Sequence, residues 1–101
     1  YFQMRSTDVF LGLPYNIASY ALLAHIIALE CGYEVGELCY SGVIPHLYTN
    51  HLEQAKLQLT REPFDFPELV INKKSFFDYK MDDFSVVGYQ SHSVIKADVA
   101  I

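Results

Sequence analysis

The chain has 101 residues, half of them apolar (51%), with 15% aromatic and 19% charged. Its net charge of −5 excludes a general nucleic-acid-binding surface, because nothing basic is in excess to neutralise a phosphate backbone. Two cysteines are too few for a disulfide framework or a zinc site, and they read as reduced, buried thiols of a cytoplasmic protein. No run reaches the ~18 uninterrupted apolar residues of a membrane span, so no membrane partner is expected.

In chain order, residues 1–6 predict a strand and residues 8–11 a turn. Tyr1-Phe2-Gln3 matches the end of a common tag-cleavage sequence, but it also alternates into Met4-Arg5 as a strand would. Asn16 is positioned to cap a helix over residues 17–31, ended by Gly32. That helix, "IASYALLAHIIALEC", is apolar on nearly every side, so it is expected to be buried almost all round. Residues 35–44 predict a mostly buried strand. Asn50 followed by Glu53 predicts a capping box, and Leu52, Ala55 and Leu59 give a stripe at helical spacing. Pro63 and Pro67 bound a loop. "ELVINK" and "DFSVVGY" predict two strands with "SFFDY" between them, and the end of the chain reads as an extended tail. Helices alternating with strands in this order predict an α+β fold, helices packed on a mixed sheet, in a single domain over 1–101.

The segment "MRSTDVFLGLPYNIASY" holds more polar chemistry than a core segment needs. Arg5 offers a planar fork of donors suited to phosphate oxygens, with the Ser6 hydroxyl beside it. A surface ion pair with Asp8 is the plain alternative. Asp8 suits the paired N–H edge of a pterin or guanine, or else is an ordinary turn acid. The Asn16 amide carries a donor and an acceptor that complement the uracil edge, or else caps the helix. His46 and Tyr48 alternate along an extended segment and suit a sugar hydroxyl. His46 and His51 lack a third ligand at metal spacing. His25 reads as a satisfied core histidine, and His92 carries no signal. Cys31, at a helix C-terminus, and Cys39, without an adjacent base, do not look like activated nucleophiles. These residues describe a nucleotide-sized ligand site without a visible catalyst.

Three long blocks, "RSTDVFLGLPYNIASYALLAHIIALECG", "HLYTNHLEQAKLQLTREP" and "FFDYKMDDFSVVGYQSHSVIKADVAI", resemble consecutive segments of the thymidylate synthase family. The resemblance covers essentially the whole chain, but only the C-terminal part of that family's fold. It implies reductive methylation of dUMP to dTMP with 5,10-methylenetetrahydrofolate in a dimeric enzyme. By this resemblance Arg5 and Ser6 match the phosphate-binding pair and Asn16 the reader of uracil. His46 and Tyr48 match the groups on the deoxyribose hydroxyl. Asp8, Leu11, Gly12 and the terminal Ile101 match folate contacts. The family's nucleophilic cysteine lies in a Pro-Cys-His segment that this chain lacks, so no catalytic residue is assigned here. A complementing N-terminal half would have to supply it, and a homodimer is expected besides. The chain departs from the family at Met4, at the apolar pair Val43-Ile44 where Gly-Asp is usual, at "YQSHS", and at Asp98, which replaces a usual proline and should loosen the tail. Two alternatives accompany this reading: a non-catalytic or degenerate dUMP-binding subunit, and a uracil-nucleotide hydroxymethylase.

Overall fold

The computed structural model describes residues 1–100; Ile101, one of the expected folate contacts, lies outside the described residues. The order of elements is β1 (Phe2–Asp8), α1 (Gly12–Cys31), β2 (Tyr40–His46), α2 (Leu52–Leu59), β3 (Glu68–Ile71) and β4 (Phe84–Val87). Short 3-10 turns occupy Thr49–His51, Phe76–Asp78 and Met81–Asp83. The class is α+β. Parallel and antiparallel pairings both occur, divided between two small sheets: β1 runs parallel to β2, and β3 antiparallel to β4.

Helix α1 begins five residues earlier than Asn16 capping would require. Two local features explain this. The carboxylate oxygen Oδ1 of Asp8 accepts from the backbone N–H of Phe10 (3.0 Å) and Leu11 (3.2 Å), fixing the turn that leads into the helix. Pro14 then falls in the first helical turn, where a missing N–H costs nothing. Asn16 is therefore inside the helix and does not cap it. The far end behaves as predicted: Gly32 takes the left-handed conformation (φ 73°), and the helix closes with Tyr33 N–H donating to Ala28 O at 2.8 Å.

Strand β2 starts at Tyr40, not at Val35. Its ladder with β1 runs from Phe2↔Tyr40 to Asp8↔His46, so residues 35–39 lie beyond the first paired residue of β1. Between the two strands, the Tyr40 hydroxyl donates to Thr7 Oγ1 at 2.9 Å. The phenol reaches it by lying across Gly42, where any Cβ would collide with the Tyr40 ring and hydroxyl. A side chain at position 42 would require the Tyr40 ring to move. Phe2 is the one buried apolar side chain among the described residues; it stacks on Tyr20 at 4.2 Å and leans on Tyr40 at 5.2 Å. Of residues 1–3, Phe2 thus contributes to the packing.

No residue of α1 is buried, against the expectation of a helix wrapped all round. Its main neighbours among the secondary-structure elements are β1 and the Phe76–Asp78 turn. Its apolar residues are spread so evenly that the uncovered side stays greasy, with Ile17, Tyr20, Leu23 and Ile27 exposed. At 20 residues and a mean hydropathy of 1.3, it is long and apolar enough to cross a membrane by length and composition. The sequence reading of uninterrupted runs did not anticipate this. Cys31 and Cys39 are free and exposed, not buried. His25 is half-buried, with no hydrogen bond among the described residues. The surface totals 8228 Å², whereas a folded monomer of 11.6 kDa exposes about 5,800 Å². The radius of gyration is 16.0 Å, against about 13 Å for a compact chain of this length. These elements form a layer that leaves an apolar face to be covered.

Candidate functional site

The parallel pair β1–β2, joined by α1, brings the carboxyl ends of two strands and the amino end of a helix together. In open α/β arrangements, that is where ligands bind. Arg5, Ser6 and Asp8 lie on β1 and His46 is the last residue of β2. The ladder sets Ser6 opposite Ile44 and Asp8 opposite His46, and Val9 N–H donates to His46 O at 2.9 Å.

Around the helix start, a Cβ on Gly12 would meet Asp8 Cβ at 3.4 Å and Asn16 Oδ1 at 3.8 Å. Asp8, Gly12 and Asn16 are therefore immediate neighbours, with Gly12 leaving bare backbone between them. Leu11 is half-buried beside them. His46 and Tyr48 meet edge to face, with ring centroids 4.9 Å apart. His46 Nδ1 donates to Ile44 O at 3.2 Å, which leaves Nε2 as an acceptor.

Several of these groups have spare hydrogen-bonding capacity. Asp8 spends Oδ1 on the turn, and Oδ2 has no partner among the described residues. The Asn16 amide has none either, since the helix does not use it as a cap. Among the described residues Arg5 makes no ion pair, so the plain alternative of a surface bridge to Asp8 is not what the structure contains. Arg5 and Ser6 are exposed, and no contact ties them to Asn16 or Tyr48. The departures Val43 and Ile44 present apolar surface at 58% and 59% exposure beside Arg5 and Ser6.

An open groove of about 640 Å³ adjoins this cluster through Leu11. Phe10, Tyr15 and Arg61 form part of its lining, and the tail residues His92 and Ile95 form another part. The tail is held by groups to which the sequence assigned other duties or none. His92 Nε2 donates to Glu62 O at 2.8 Å and its ring lies 4.5 Å from that of Phe64. Arg61 Nη1 donates to Ser93 O at 2.7 Å. Asn50 does not form the predicted capping box: its amide donates to Asp98 O at 3.2 Å, while Glu53 pairs with Lys56 on the exposed side of α2. Its position inside a 3-10 turn, two residues before the helix and one before the N-cap His51, takes its side chain away from the helix N–H groups. His51, fully buried, also donates to Asp98 O, from Nε2 at 2.7 Å. No spacing rule applied to "HLYTNH" would have found these bonds, because their partner is a backbone carbonyl nearly fifty positions away.

A second polar centre lies in the β3–β4 unit. Asp83, 5% exposed, takes Lys74 Nζ at 2.8 Å and Asn72 Nδ2 at 3.1 Å on Oδ1, and Lys80 N–H at 2.9 Å on Oδ2. The Lys74 ammonium, then the Lys80 N–H, hold its carboxyl below the usual carboxylate range, against the opposing effect of burial.

An α+β chain with half-used polar groups at the carboxyl ends of a parallel strand pair has the architecture of a ligand-binding site. The particular family follows from comparison with known proteins. The thymidylate synthase family model matches residues 1–101. The solved structure of thermostable thymidylate synthase A from Bacillus subtilis is 38% identical and superposes with a TM-score of 0.93 over 98% of this chain. The chain belongs to the thymidylate synthase family. It spans about a third (36%) of the length of that Bacillus protein.

Proposed function

We propose that these residues carry the nucleotide and folate grip of a thymidylate synthase, which methylates dUMP reductively with 5,10-methylenetetrahydrofolate. The observation that carries this reading is the adjacency of Asp8, Gly12 and Asn16 at the ends of β1 and β2, each polar group retaining unused capacity. Arg5 and Ser6 hold the phosphate. The Asn16 amide reads the uracil edge and stabilises charge that develops on O4 when a thiolate adds to the ring. His46 Nε2 and the Tyr48 hydroxyl receive the deoxyribose hydroxyl. Asp8 Oδ2, half-buried Leu11 and the bare backbone of Gly12 suit a flat ring bearing N–H donors, and Ile101 completes that side. The folate supplies the one-carbon unit and the hydride. Neither cysteine of the chain serves as nucleophile: Cys31 ends α1, where the helix dipole disfavours a thiolate. The attacking sulfur comes from a Cys-bearing segment of the same fold or from a complementing chain. That segment, with a second subunit, also covers the exposed side of α1. Residues 1–101 act as one unit of this larger domain, in a cytoplasmic enzyme of nucleotide biosynthesis.

The test is tritium release from C5-labelled deoxyuridylate. The chain alone is expected to release none, and the chain mixed with a Cys-bearing N-terminal part, or the full-length polypeptide, is expected to release it. A mixture that binds the labelled nucleotide without releasing tritium favours the second reading, a dUMP-binding subunit without catalysis. The exposed apolar pair Val43-Ile44 at the edge of the site supports that second reading. Product mass separates methyl from hydroxymethyl transfer.

A further inference from the structure

His51 is the one side chain among the described residues that is fully buried, polar and incompletely satisfied. Its Nδ1 has no partner. Because Nε2 faces a carbonyl oxygen, it must carry the proton, and Nδ1 is left as a bare acceptor. A ring kept only to fill this space would be better apolar, since an orphaned buried acceptor is a cost. The useful part of His51 is its Nε2–H bond to Asp98.

The surroundings say what that bond does. The His51 ring lies 5.4 Å from Phe10, in the turn that Asp8 ties, and 5.9 Å from Tyr48, which meets it edge-on. It thus touches both sides of the proposed site while it holds the tail. Asn50 donates to the same carbonyl, so Asp98 O is doubly anchored at the start of α2. At the other end of α2, Arg61 and the Glu62 carbonyl anchor Ser93 and His92. The tail therefore runs from the end of α2 back towards its start, a strap fastened at both ends. Its outer residues line the groove that Leu11 also lines.

We infer that Asn50 and His51 are positioning residues: by pinning the Asp98 carbonyl they set where Val99 and Ala100 stand relative to the folate-side group of Asp8, Leu11 and Gly12. The effect on folate rests on the function proposed above; the strap does not. The paired donors restrict the backbone at Asp98.

The experiment is amide hydrogen exchange over residues 96–100 in the full-length polypeptide, for Asn50→Ala, His51→Phe and His51→Gln, with KM for methylenetetrahydrofolate and Kd for deoxyuridylate measured beside it. Phe keeps the packing against Phe10 and Tyr48 but donates nothing; Gln returns a donor at the reach of Nε2. Loss of either donor is expected to speed exchange in the tail about two- to tenfold. It should also raise the folate KM with an unchanged nucleotide Kd, and His51→Gln should restore both. Asn50 is exposed, so Asn50→Ala reports even where a change at buried His51 prevents folding. Unchanged exchange in Asn50→Ala and His51→Phe overturns the strap. Faster exchange with an unmoved folate KM overturns the positioning role. Where the parent protein turns over no substrate at all, the functional reading fails, and exchange alone decides whether the strap exists.

Discussion

Asp8, at the end of β1, and Asp83, in the turn before β4, are both acids beside short strands, and they are used in opposite ways. Asp83 is saturated: two side-chain donors share one of its oxygens and a backbone N–H takes the other. The β3–β4 unit thereby closes on itself. Asp8 spends one oxygen on two backbone N–H groups and keeps the other. Its neighbours Arg5, Asn16 and His46 are likewise unspent or half spent. A carboxylate that has used its lone pairs on its own chain is holding a shape. One that has not is available to something that arrives. The difference separates scaffold from site better than burial does, because in this chain few side chains of either kind are buried.

That contrast is open to attack at several points, taken here in order of expected effect. Arg5→Ala in the full-length polypeptide should weaken deoxyuridylate binding by roughly 10- to 150-fold, the range for a hydrogen bond to a charged group. Isothermal calorimetry measures this, and an unchanged Kd would remove Arg5 from the phosphate. Gly42→Ala should cost about 1–3 kcal/mol of stability through overpacking, because the new methyl meets the Tyr40 phenol. Chemical denaturation reads the loss, and pairing it with Tyr40→Phe, which shortens the obstruction, should recover part of it. Ser6→Ala should weaken nucleotide binding by about two- to tenfold, as for one neutral hydrogen bond, whereas Ser85→Ala in β4 should leave it unmoved. Equal effects from the two serines would erase the distinction between the regions.

The gentlest probe is pH. The Asp83 carboxyl is held below its ordinary value in the folded chain, first by Lys74. Its contribution is therefore fully present above the unfolded value of about 4 and is lost as pH falls through the lower folded value. Denaturation midpoints of the parent and of Asp83→Asn should accordingly differ most above pH 4 and draw together in stronger acid. A gap that stays constant to pH 2 would contradict the assignment.

Much of the architecture is legible in the sequence because it rests on local rules. The left-handed Gly32, the two prolines that bound the loop, the strands at "ELVI" and "FSVV" and the α+β order follow from residue type and spacing. The polar cluster of residues 5–16 is legible because so many unlike polar groups are crowded ahead of an apolar helix. The misreadings share one cause: each turned on a partner distant in sequence or outside the chain. Asn16 lost its cap role because Asp8 fixes the turn upstream of it. Strand β2 begins at Tyr40 because that is where β1 begins to pair. Asn50 serves a carbonyl in the tail instead of its own helix. Burial failed as a prediction for α1, Cys31 and Cys39 because an apolar residue declares that it wants cover, without saying which surface supplies it.

Helix α1 has a practical consequence for anyone who handles this polypeptide. A rod that is oily on every side gains nothing by rolling about its long axis, so no local rearrangement shields it. Produced by itself, it should precipitate or recruit chaperones. Co-production with a segment that covers Tyr20, Leu23 and Ile27 should turn insoluble material into soluble material more effectively than any change of buffer.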